Sequence, residues 1–129
     1  MPRDQFDIRR GAFVDLIANG DGPNDGANAT PIPSLAHLTV VSVHLQPNKN
    51  GVMLPNNADD GDVVEIRIVE TSEGEQDLWI FNALGDISRK IHTNHQEPGG
   101  LPVESMALRK HPGDHDWRVI YTSHGQING

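Results

Sequence analysis

The sequence predicts an all-β fold, a single antiparallel β-sandwich or barrel-like domain with an irregular N-terminal arm. Three observations predict it. Turn-forming residues are frequent, with 13 Gly and 9 Pro among 129 residues, and each interrupts regular structure after a few residues. Apolar residues alternate with polar ones along several segments, the period of a half-buried strand. Runs rich in Ala, Leu, Glu and Lys at helical spacing are missing, which disfavours a helix bundle.

Two regions differ in composition. Residues 1–33 read as an N-terminal arm and linker, and residues 34–129 as the β domain. In the arm, Phe13, Val14, Leu16 and Ile17 suit one side of a short helix. Equally, Phe6, Ile8 and the run from Phe13 to Ile17 suit two short edge strands. From Asn19 to Pro31 almost every residue favours turns, so this stretch reads as a flexible link.

Strands dominate after residue 34. Leu35 to Leu45 is rich in Val, Leu and Thr, and its Val40-Val41 pair implies cover on both faces. Asn50-Gly51 is a two-residue turn signal, followed by the short piece Val52-Met53-Leu54. From Asp62 to Glu70, Val64, Ile66 and Ile68 face one way while Glu65 and Arg67 face the other. Leu78 to Phe81 and Ile87 to Ile91 form two further strands around Leu84-Gly85-Asp86. Thr93 to Pro102, with Pro98-Gly99-Gly100 inside it, reads as a long exposed loop. Met106 to Lys110 and Asp116 to Thr122 close the domain around Pro112-Gly113, with Trp117, Val119 and Tyr121 on one face. No internal repeat is legible, and no βαβ alternation marks a nucleotide-binding sheet.

Charge narrows the partners. The formal net charge is −8, which disfavours nucleic acid, whose phosphates demand a basic footprint. The same balance disfavours a protein held on anionic lipid. No apolar run approaches the roughly 20 residues that cross a bilayer. The first ten residues mix charges of both signs without an apolar core, so no secretory signal is read there. The chain has no cysteine, which removes disulfides, thiol catalysis and cysteine-bound zinc.

The remaining chemistry-bearing residues do not assemble into a motif. His92 and His95, and His111 and His115, have spacings that would share a helix face. One pair sits at a strand end and the other brackets Pro112-Gly113, so surface histidines are the plainer reading and no metal is assigned. The loop from Asn19 to Asn28 is rich in calcium-favouring oxygens, but Pro23 falls where an EF-hand ligand belongs. No nucleophile elbow or P-loop is present, and no catalytic residue or cofactor is assigned. Trp79 and Trp117 sit mid-strand and read as core. Arg3, Arg9 and Arg10, interleaved with Phe6, Ile8, Phe13 and Leu16, suit an arm laid across a partner by strand addition or arginine–carboxylate pairing. His92, His95 and Glu97 mark the candidate exposed loop.

The segment Asn50-Gly51-Val52-Met53-Leu54-Pro55-Asn56-Asn57-Ala58-Asp59-Asp60-Gly61-Asp62-Val63-Val64-Glu65-Ile66 resembles the "Leu-Pro, polar residues, Gly-Asp, apolar strand" segment of trimeric β-domains in tailed-bacteriophage decoration, head-fibre and tail-fibre proteins. Ala83-Leu84-Gly85-Asp86-Ile87 is similar to their Gly-Asp step. The close from Ala107 to Tyr121, with Pro112-Gly113 and Trp117, resembles their last hairpin. The likeness spans roughly residues 38–122, and its motifs are turn chemistry plus strand pattern. It implies a capsid decoration (cement) protein on the outer virion surface. Such a protein is a homotrimer that binds the major capsid protein through its arm and stabilises the capsid. The alternatives are a fibre module recognising surface carbohydrate and a small β hydrolase.

Overall fold

β-branched residues at every second position set the long strands. Along Val63–Glu70, Val64, Ile66 and Ile68 are buried while Glu65 and Arg67 turn to the opposite face. A computed structural model describes residues 11–70, 77–92 and 105–123. Within them run β1 (Ala12–Ile17), β2 (Thr30–Pro31), β3 (Leu38–His44), β4 (Gly51–Met53), β5 (Val63–Glu70), β6 (Asp77–Phe81), β7 (Ile87–His92), β8 (Ser105–Lys110) and β9 (Trp117–Ser123). The fold is all-β. One sheet has the order β1-β3-β5-β8-β9, the other β2-β4-β6-β7, and neither closes into a barrel.

The connectivity departs from the antiparallel expectation. Up to β6 the chain changes sheet after every strand. Each return to a sheet therefore enters in the same direction as before, and β1, β3 and β5 pair in parallel, as do β2, β4 and β6. Only then does the chain reverse, with β7 antiparallel to β6, β8 to β5 and β9 to β8. Turn signals mark where a chain bends but not which sheet it enters next, so the sequence left this winding invisible. The three windings start at Ala12, Leu38 and Val63, a structural repeat of roughly 25 residues of the coiled, stacked kind.

The core lies between the sheets. Register stacks Ala12, Thr39 and Val64; then Val14, Val41 and Ile66; then Leu16, Val43 and Ile68. Val52, Leu78, Ile80 and Ile91 meet them from the second sheet, with Ile32, Leu45, Leu54, Met106, Leu108 and Trp117 completing the cluster. Val14 and Leu16, on the end strand, are only partly buried.

Several local expectations change. Residues 11–33, grouped by composition with the arm, contribute a strand to each sheet. The stretch after β1 forms two short 3-10 turns, Gly22–Asn24 and Gly26–Asn28, rather than a loose link. Asn50 Oδ1 accepts from the Gly22 amide, and Asp25 Oδ2 accepts from the Asp21 amide. The bend between β3 and β4 falls at Pro47-Asn48, with Asn48 at φ 58°. Gly51 instead opens β4, where an added Cβ would lie 2.8 Å from the Asn19 carbonyl oxygen. In β9 a bulge places Val119 opposite Leu108 but Tyr121 opposite Ala107. The skipped residue, Ile120, flips the alternation, so Tyr121 faces out while Trp117 and Val119 face in. Trp79 is half-buried on the outer side of its sheet, with Lys90 Nζ 5.2 Å from the ring centroid. The loop expected from Thr93 to Pro102 lies outside the described residues.

One polar clasp ties the entries to β3 and β5 to the end of β8. Asp62, 2% exposed, accepts at Oδ2 from the Asp59 amide (3.0 Å) and the Ser34 hydroxyl (3.4 Å). Its Oδ1 lies 3.3 Å from His37 Nδ1, and its backbone carbonyl accepts from the Lys110 amide (2.8 Å). Removing a buried, multiply bonded carboxylate strands its donors. Asp62→Ala is therefore expected to lower stability by about 2–4 kcal/mol, against at most about 0.5 kcal/mol for the exposed Asp86→Ala. Urea midpoints measure both, and coincident midpoints would refute the clasp. Gly51→Ala is expected to destabilise by about 1–3 kcal/mol through overpacking against backbone, read in the same titration.

Candidate docking edge and face

The outer face of the five-stranded sheet carries two rows of residues. The first crosses every strand through Phe13, Val40, Glu65, Ala107 and Tyr121; the second runs through Asp15, Ser42, Arg67 and Ser105. Even strand alternation puts them all on one side. Phe13 is 76% exposed and Ile17 is 55% exposed, both on β1. Val40 and Ala107 are buried although they face outward. The face therefore has an apolar end at β1 and a polar centre.

Glu65, Arg67 and Tyr121 form that centre. Arg67 Nε lies 3.8 Å from Glu65 Oε2. Burial pushes the Tyr121 hydroxyl above its ordinary pKa, and the neighbouring Glu65 charge and hydrogen bond push it further, against a smaller opposing effect of Arg67. The β9 bulge delivers Tyr121 to this position.

Beside β1, Asp15, Leu16, Ile17, His44 and Gln46 line an open groove of about 310 Å³. Leu16 was expected in the contact set, while His44 and Gln46 were not. They enter because the parallel register lays His44 against Ile17, and no sequence signal carries that pairing. Of the expected arm residues, Phe13 and Leu16 are described. Arg3, Phe6, Ile8, Arg9 and Arg10 lie outside the described residues, as do His95 and Glu97. His92 ends β7 opposite Asp77.

Other chemistry is accounted for locally. Both Asp25 carboxylate oxygens accept hydrogen bonds, from the Asp21 amide and from Asn28 Nδ2. Among the described residues no group of three or more histidines and carboxylates converges as a metal site. Ser34, Asp62 and His37 do meet, but in the order hydroxyl–carboxylate–imidazole. The hydroxyl donates to the carboxylate, so the His37 imidazole is not placed to activate it. Comparisons with protein-family models, curated proteins and solved structures found no significant match.

Tyr121 is the single tyrosine of the chain, so ultraviolet absorbance follows its titration alone. Its midpoint is expected above the ordinary value of about 10, and Glu65→Gln is expected to move it down. A raised folded value means stability is fully present below the unfolded pKa and is lost as pH rises through the folded one. An unmoved midpoint in Glu65→Gln would count against the contact.

Proposed function

We propose that this chain is a binding protein of the virion exterior. It is a capsid-decoration (cement) protein, homotrimeric, which docks on the major capsid protein through its N-terminal arm and first strand and stabilises the shell. The observation that carries this reading is the exposure of Phe13 and Ile17 on β1. Two large apolar side chains held outward by a rigid sheet are contact residues in waiting. They continue directly from the basic and apolar arm of Arg3, Phe6, Ile8, Arg9 and Arg10. The phage-type resemblance from residue 38 to residue 122 gives the partner.

The reading is non-enzymatic and rests on surface, not on a pocket with chemistry. The carbohydrate-binding alternative would draw on the exposed loop of His92, His95 and Glu97, and His95 and Glu97 lie outside the described residues. The hydrolase alternative would draw on Ser34, His37 and Asp62, whose hydrogen-bond order is wrong for it.

Co-sedimentation of the full-length protein with undecorated capsid shells of its own phage tests the proposal. The wild type is expected to sediment with the shells. Phe13→Asp and Ile17→Asp are each expected to weaken binding by at least about tenfold, as loss of an apolar anchor does, with unchanged urea midpoints. Shells that bind the wild type and both variants equally, or that ignore all three, would overturn it.

A further inference from the structure

Sheet edges among the described residues are protected unevenly. Exposed edges are usually blunted by brevity, proline, charged side chains (lysine above all) or bulges. β2 is two residues long and ends in Pro31, which has no N–H to offer. β7 exposes Arg89 and Lys90 and pairs across a register shift. β9 exposes Arg118 and carries the Ile120 bulge. β1 carries only the single exposed carboxylate of Asp15. It runs six residues in unbroken register against β3, without proline or cation.

The ladder phase says which backbone groups turn away from β3. In a parallel pair, alternate residues bond to a given neighbour. The Ala18 amide donates to the His44 carbonyl at the end of the pairing (3.0 Å). That phase gives Ala12, Val14 and Leu16 to β3. It turns the amides and carbonyls of Phe13, Asp15 and Ile17 away from β3. The Thr30 hydroxyl takes the Ile17 carbonyl at 2.6 Å. The remaining row matches what an extended chain requires.

The groove supplies a side-chain preference. Asp15 is exposed and has no ion-pair partner among the described residues. It lines the groove together with Leu16 and Ile17, which would contact an aliphatic stem. A long side chain with an apolar stem and a cationic end fits both features. The net charge of −8 favours the same partner sign.

We infer that β1 is a strand-acceptor edge. It adds an extended apolar segment of the binding partner to the five-stranded sheet, and that segment carries a lysine or arginine seated beside Asp15. This rests on the binding reading above and gives it a mode and a chemistry.

Amide hydrogen exchange on the full-length protein tests it. The probe is a short peptide of alternating valine and threonine with one central arginine. Its counterparts carry glutamate at the centre, or N-methyl groups on alternate amides. The arginine peptide is expected to slow exchange at Phe13, Asp15 and Ile17 by at least about tenfold and to bind about tenfold tighter than the glutamate peptide. Asp15→Asn should erase that preference, and the N-methylated peptide should not bind, with the protein itself unaltered. Protection at β7 or β9 instead, no protection at all, or equal affinity for arginine and glutamate peptides would overturn the inference. So would peptide-free protection of the same amides that grows with protein concentration, because β1 would then be pairing with a second copy. Loss of capsid binding in Phe13→Asp without peptide protection would sink strand addition and leave the capsid reading standing. Peptide protection with no capsid binding would do the reverse.

Discussion

The crossing of the chain from sheet to sheet after each of the first five strands is the constraint on which the rest depends. It makes the central pairings parallel, and it makes each winding present its inward residues at the same three heights. Those positions must be apolar or closely packed in every winding, because both sheets meet across them. Thr39 is the one polar member of the ladder, and its hydroxyl accepts from the Leu35 amide (3.3 Å) rather than standing unpaired. The interior windings bury their positions fully. Val14 and Leu16 in the end winding have, among the described residues, a strand on one side only, and they are buried in part. Each such side chain forgoes a share of the roughly 1.5–3 kcal/mol that full burial contributes. The end winding is thus the part of the core with stabilisation still to gain from a partner.

Crossing loops impose a second requirement, close approach. The second 3-10 turn after β1, Gly26–Asn28, passes directly over the second sheet. An added Cβ on Gly26 would meet the Gly85 carbonyl and the Phe81 ring. Phe81 lies on the outward side of β6 yet is buried, because this loop covers it. Asp62 performs a related task at the opposite end of the strands, where the entries to β3 and β5 and the end of β8 converge. Its carboxylate satisfies donors that would otherwise be buried without partners.

Strand existence was legible because it is written in nearest-neighbour alternation. β5 through β9 lie within a residue of the segments read from Val, Ile and aromatic periodicity. Gly61 and Gly85 do turn the chain with positive φ, as their sequence context implied. What stayed hidden depends on contacts distant in sequence. Parallel pairing follows from which sheet a loop enters. The β9 bulge depends on Ala107 and Leu108 across the ladder, so Tyr121 was assigned to the face of Trp117 and lies on the other. Gly51 carried a turn signal but serves close packing, because its neighbours, Asn19 and Phe81, are about thirty residues away on either side. Of the candidate site, Phe13 and Leu16 were visible as apolar residues outside the main strands. His44 and Gln46 were not, since only the register brings them beside β1.

The position of β1 explains why an interaction there need not disturb the fold. A winding that grows by parallel addition has two ends. At one end the five-stranded sheet turns back on itself through β8 and β9, whose antiparallel pairing, bulge and exposed Arg118 close that side to further strands. At the other end, among the described residues, the addition stops at β1, whose unbroken register and exposed apolar side chains suit a further neighbour. A partner strand would complete the burial of Val14 and Leu16 and meet the amides that turn away from β3 without any strand moving. The outer face remains available at the same time, because its polar centre of Glu65, Arg67 and Tyr121 is held by contacts internal to the chain. Edge and face can therefore serve separate contacts, one made through backbone pairing and one through side chains.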